Sequence, residues 1–178
     1  MRLLAASPCR IVAVAGSPYD SEMAEHRHLR RLDSVWIEPT VYFVTACAKD
    51  RRALFARDDV AAILIDELRA ARQKHGWRVG RFVIMPDHLH LFCANDGSSG
   101  AAPLSHFIGS FKQWTAKRMS AIGVHRPVWQ KQFFDHLLRS PQSYSDKWTY
   151  VRENPVRVGL VANAQDWPYA GEIEPLEL

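Results

Sequence analysis

Cysteine is scarce in this chain. Cys9, Cys47 and Cys93 stand far apart among 178 residues. Their odd number and the lack of any Cys-x-x-Cys pair exclude a zinc ribbon and a disulfide framework, and a reducing cytosol is the simplest setting. Long apolar runs are missing too, and no stretch approaches the length of a membrane-spanning helix. There is no internal repeat and no long low-complexity segment, so one compact domain is the default at this length and 47% hydrophobic content. Acidic charge is short over most of the chain. Four of the 19 acidic residues, and none of the 23 basic ones, lie in the last 14 positions, which leaves an excess of eight positive charges elsewhere. That excess suits a polyanionic partner.

The start resembles a secretory signal, with Met1-Arg2-Leu3-Leu4-Ala5-Ala6 and then Ala13-Val14-Ala15. Pro8 and Arg10 interrupt its apolar core, which argues against one. Residues 1–34 are expected as a poorly ordered extension with Met23 as an alternative start, 35–170 as the folded domain, and 171–178 as an acidic tail.

The most informative stretch is Met85-Pro86-Asp87-His88-Leu89-His90-Leu91-Phe92. Side chains alternate along a strand, so His88 and His90 share one face while Leu89 and Leu91 pin the other. Two imidazoles on one rigid face are half of a metal site; a pair of satisfied core histidines is the competing reading. A second His-x-His, His26-Arg27-His28, lies in a charged tract with no apolar alternation and lacks such a frame.

Val41 to Cys47 is rich in β-branched and aromatic residues and reads as a strand. Asp58 is a candidate N-cap for a helix reaching His75, with Val60, Ile63, Leu64, Leu68 and Ala71 as its apolar stripe and Gly76 as its stop. Trp77 to Cys93 supplies more strand, with a bulge or irregular edge at Pro86. A helix follows from Pro103 to Ala121, carrying Lys112, Lys117 and Arg118 on faces other than its apolar side. Val128 to Leu138 is extended in part. Ser140-Pro141 opens a last helix that ends near Asn154, ahead of Pro155. The order of elements implies an α+β sandwich, an antiparallel sheet with helices packed mainly on one face.

On the last helix Tyr144, Trp148 and Val151 make the apolar stripe. Tyr150 lies off it, on the side of Ser143, Lys147 and Asn154. If that helix lies beside the histidine strand, a phenol and an amide face the two imidazoles.

Together these segments resemble the single-tyrosine HUH transposases, most closely the REP-associated tyrosine transposases of bacteria. The resemblance is carried, in order, by the strand with Thr45, by Val83 to His90, by Val128-Trp129-Gln130-Lys131-Gln132-Phe133-Phe134-Asp135-His136, by Tyr150-Val151-Arg152-Glu153-Asn154-Pro155-Val156-Arg157-Val158-Gly159-Leu160 and by Asp166-Trp167-Pro168-Tyr169. It spans Trp36 to Tyr169. The resemblance implies a ferredoxin-like HUH endonuclease fold. It implies that His88 and His90 hold a divalent metal, Mg2+ or Mn2+, with a third ligand from the tyrosine helix, here assigned to Asn154. Tyr150 becomes the nucleophile on a DNA phosphate. Asp135 and His136 match a block whose role is support of DNA, metal shell or fold.

The implied partner is single-stranded DNA with hairpins, and the implied enzyme is a cytoplasmic, nucleoid-associated transposase, monomer or homodimer, with no membrane contact. Lys112, Lys117, Arg118, Lys147 and Arg152 are the candidate phosphate contacts, with Trp114, Trp129 and Phe134 as stacking aromatics. Two other readings stand beside it: a domesticated, non-catalytic hairpin-binding protein, and a phosphoesterase that uses water. No glycine–aromatic signature of a general RNA-binding domain is present.

Overall fold

The computed structural model describes residues 40–98 and 100–177. The readings made for residues 1–39, including His26-Arg27-His28 and the extension, lie outside them. Five strands form one antiparallel sheet in the order β4-β1-β3-β2-β5: β1 Val41–Cys47, β2 Trp77–Ile84, β3 His88–Asn95, β4 Phe134–Leu138 and β5 Ala170–Glu172. Between them run α1 Asp58–Arg69, α2 Ala71–His75, α3 Leu104–Ala121, α4 Pro141–Arg152 and α5 Asn154–Arg157. The first four strands with α1 and α3 make the β-α-β-β-α-β arrangement of a ferredoxin-like sandwich. This is the α+β fold that the order of elements implies.

Alternation along β3 divides the molecule. Leu89, Leu91 and Cys93 belong to the larger core, beneath Val60, Leu64 and Leu68 of α1 and Phe107, Ile108 and Phe111 of α3. Leu89 and Leu91 are fully buried, each contributing about 1.5–3 kcal/mol of apolar burial. His88, His90, Phe92 and Ala94 point to the opposite face, where Phe92 packs with Val41, Leu138 and Tyr144. So α4 covers the histidine face while α1 and α3 cover the other.

Local chemistry explains most boundaries. Ser140 accepts the Ser143 N–H, and Ser143 answers toward the Ser140 N–H, a capping box with Pro141 at the first turn. Gly76 ends α2 at φ 70°, a left-handed position that glycine takes without penalty. Three expectations are corrected. Asp58 is the first helical residue rather than the cap; its carboxylate accepts the Tyr169 hydroxyl at 2.8 Å. The long helix is broken at Ala70 into α1 and α2. Pro86 sits in the turn joining β2 to β3, and the register shift falls instead between Val79 and Phe82.

The acidic end is tied to the sheet. β5 pairs with β2, and Glu174 bonds Arg72 and Arg78. Leu176 lies so close over Gly80 that a Cβ there would meet it at 2.7 Å. Among the described residues, no helix is long and apolar enough to cross a membrane.

Candidate active site

The two imidazoles stand on adjacent same-face positions of β3, their centroids 4.6 Å apart and their planes nearly perpendicular. Each has its Nδ1 occupied. His90 Nδ1 lies 2.8 Å from Thr45 Oγ1, directly across the β1–β3 ladder. His88 Nδ1 lies 2.6 Å from Asp87 Oδ1. An ionised carboxylate only accepts, so His88 carries its proton on Nδ1 and leaves the Nε2 lone pair for a ligand. Burial works against the charge on Asp87, but the hydrogen bond from His88 and the charge of Arg51 outweigh it and hold the carboxyl below its usual value. His90 is 9% exposed. Burial first, then His88, Arg51 and Lys147, keep its pKa well below that of a free imidazole, so it is a neutral donor at pH 7.

Helix α4 reaches this face. Lys147 Nζ sits 5.2 Å over the ring of Phe43, and Phe43 stacks on His90 with centroids 5.3 Å apart. Tyr150, one turn further on, packs against the cluster of Val83, Met85, Val151 and Trp167. Val83 is the β2 partner of His90. Tyr150 thus lies on α4, the helix that packs over the histidine face of the sheet.

Asn154 is not on that helix. Pro155 has no N–H to give to the preceding turn, α4 stops at Arg152, and Asn154 opens α5. Its Oδ1 accepts from Arg157 Nη1 at 2.7 Å. Arg157 also donates to the Tyr150 carbonyl at 2.8 Å, and its guanidinium lies 4.1 Å over the Tyr150 ring. This arginine escaped the sequence reading, although Arg157 lies in the quoted block and three residues after Asn154, a spacing that lets side chains meet on a helix.

Other candidates are dispersed. Lys112 is buried, its Nζ donating to the carbonyls of Gln130 and Gln132, so it braces the approach to β4 rather than lying on a solvated face. Lys117 covers the exposed ring of Trp114 at 5.0 Å, and Arg118 pairs with Asp66 of α1 at 2.9 Å. All three sit on α3, on the side of the sheet away from the histidines. Arg152 lines a hollow with Trp148 and Trp167. Trp129 is buried and bonds Thr115 at 3.0 Å, which removes it from stacking; Phe134 is 47% exposed on the histidine face. Asp135 pairs with Val44 and points to the other layer, where its charge adds to burial in raising the Cys93 thiol. His136 pairs with Phe43, on the histidine face but at the exposed edge strand.

A family of proteins described as "Transposase IS200 like" matches residues 38–141. The chain belongs to the IS200-like transposase family. The matched span holds His88 and His90 and ends before Tyr150. A putative REP-associated tyrosine transposase of Haemophilus influenzae is 25% identical over 142 residues, covering 73% of this chain and 78% of that protein. The REP-associated tyrosine transposase of Escherichia coli is 21% identical over 136 residues, with 76% and 78% covered. A solved REP-associated tyrosine transposase bound to a REP hairpin superposes with a TM-score of 0.64 at 21% identity, covering 80% of this chain and 82% of that one, and so shares the fold of this IS200-like member.

The donor chemistry around the histidine pair fits a divalent cation that the family implies. Both rings have Nδ1 engaged, which sets the orientation common to metal-binding histidines. Among the described residues no group of three or more His, Cys, Asp and Glu is arranged to hold a metal ion. The histidine pair thus offers two imidazole donors, and a cation held there would draw its other ligands from outside that pair, as phosphate oxygens and water can supply.

Proposed function

We propose that this transposase cuts and rejoins single-stranded DNA beside hairpins through a covalent 5′-phosphotyrosine on Tyr150. The observation that carries the reading is the meeting of two elements on one face: β3 presents His88 and His90 with their Nδ1 atoms fixed, and α4 lays the side bearing Lys147 and Tyr150 over the same face.

Tyr150 Oη attacks the scissile phosphorus. The new P–O bond to tyrosine replaces the P–O3′ bond, the phenol proton passes to solvent, and the departing oxygen takes a proton to become a 3′-hydroxyl. A second 3′-hydroxyl reverses the step and frees the tyrosine. One phosphodiester is exchanged for another, so no nucleotide cofactor is needed. His88, His90 and Asn154 would hold Mg2+ or Mn2+, which supplies Lewis-acid polarisation of the phosphate. Arg157 fixes the backbone and ring of Tyr150 from the solvent side. Lys147 brings positive charge to the edge of the histidine pair, where a phosphate backbone would lie.

The test is incubation with labelled hairpin DNA from the gene's flanks, with Mn2+ or EDTA, read on a denaturing protein gel. A metal-dependent protein–DNA band that is lost in Tyr150→Phe, while that variant still binds the DNA, is the expected result. Cleavage with no band favours the water-using phosphoesterase. Binding of that DNA with neither cut nor band favours the non-catalytic hairpin binder.

A further inference from the structure

Only two non-glycine residues with positive φ occur among the described residues, and they are neighbours: Asp50 at 56° and Arg51 at 54°. Left-handed backbone at a residue with a Cβ costs energy and persists where surrounding contacts dictate it. Here they belong to the short 3-10 turn Lys49–Arg51, which folds over the β2–β3 turn. Ala48 N–H bonds the Asp87 carbonyl at 2.8 Å, and the N–H groups of Leu54 and Phe55 bond the Pro86 carbonyl at 2.7 and 2.8 Å.

The strained turn aims Arg51 at two groups beside His88. Its Nε meets Asp87 Oδ2 at 2.8 Å. Its Nη1 meets Cys47 Sγ at 2.9 Å, and Cys47 is the β1 partner of His88. Asp87 therefore bridges two groups, Oδ2 to Arg51 and Oδ1 to His88 Nδ1.

We propose that Arg51 is a positioning residue that, through Asp87, locks His88 in the Nδ1–H tautomer and so aims its Nε2 lone pair at the metal. This deepens the function proposed above and rests on it for the metal. Without Arg51 the Asp87 carboxylate loses the contact that fixes its plane, and neutral His88 can shift its proton to Nε2, where it blocks coordination. Outer partners of this kind typically change metal affinity by about 10–100-fold.

The experiment uses the full chain in two readouts. The first is the 15N signature of the His88 ring without metal at pH 8. Wild type is expected to show Nδ1–H, and Arg51→Ala a mixture with Nε2–H. The second is Mn2+ binding by electron paramagnetic resonance, expected to weaken about tenfold in Arg51→Ala and to recover in part in Arg51→Lys, which keeps the charge but not the fork. Arg51→Gln keeps the stem and removes the charge, and serves if alanine unfolds the turn. Wild-type tautomer and wild-type Mn2+ affinity in the folded variants would overturn the inference, as would a loss confined to DNA binding. A wild-type chain that takes up no Mn2+ but shows the Arg51-dependent tautomer would sink the metal reading and support the relay.

Discussion

At the scale of single residues, what the sequence made legible was what neighbours in the chain determine. The two-residue spacing of His88 and His90 needs only strand alternation, and the offset of Tyr150 from the Tyr144–Trp148–Val151 stripe needs only helical periodicity. Arg51 and Arg157 were invisible for the opposite reason. Arg51 reaches Asp87 because two residues adopt left-handed backbone, and Arg157 reaches Tyr150 because Pro155 breaks the helix. Lys112 was misjudged because a helical wheel shows where a side chain starts, not that its amine finds two carbonyls in a neighbouring loop. The Arg157 clamp yields a prediction. Arg157→Ala should slow formation of the DNA adduct about tenfold, on the order of the 1–2 kcal/mol carried by one ring contact and one charged hydrogen bond. The melting temperature should hardly move, because Arg157 is exposed. Single-turnover rates alongside thermal melts check both halves.

At the scale of elements, β1, the long stripe of α1 and the start of α4 followed from pattern and capping. The break at Ala70 had no signal, since alanine favours helix on either side. The short α2 creates a pH-sensitive point. His75 Nε2 is buried without a hydrogen-bond partner. Burial first, then His106, lowers the His75 pKa, with Lys74 lowering it further and Glu67 opposing. The folded state therefore binds fewer protons than the unfolded state just below the free-imidazole value of 6.5. Stability from this group is complete above that pH and is lost as pH falls through the lowered folded pKa. Thermal melts between pH 7.5 and 5 should show a steeper decline for wild type than for His75→Gln. Equal slopes would show that the ring does not titrate against the fold.

For the whole molecule, the ferredoxin-like order was readable from the alternation of strands and helices, and the acidic terminus was not. Three residues of β5, an ion-paired Glu174 and Leu176 over Gly80 carry too little periodicity to announce a strand, yet they cover the β2 edge. Gly80→Ala should therefore destabilise the fold by about 1–3 kcal/mol through overpacking. Leu176→Ala, made together with it, should return much of that loss, and a double-mutant cycle in chemical denaturation measures the coupling. The same architecture divides the candidate cations between the two sides of the sheet. The cations of α3 lie on the far side of the sheet from the histidines, and Lys147 of α4 lies over Phe43 on the histidine side.

The central claim is that Tyr150 is the atom-bearing partner of DNA. It is tested most directly by trapping the adduct on hairpin DNA, digesting with trypsin and nuclease, and mapping the nucleotide by mass spectrometry. Cleavage after Lys147 and Arg152 releases Trp148-Thr149-Tyr150-Val151-Arg152, whose one tyrosine is Tyr150, while Tyr144 falls in the preceding peptide. The account predicts the nucleotide mass on the Tyr150 peptide. The mass on the Tyr144 peptide, or on any other, would contradict it.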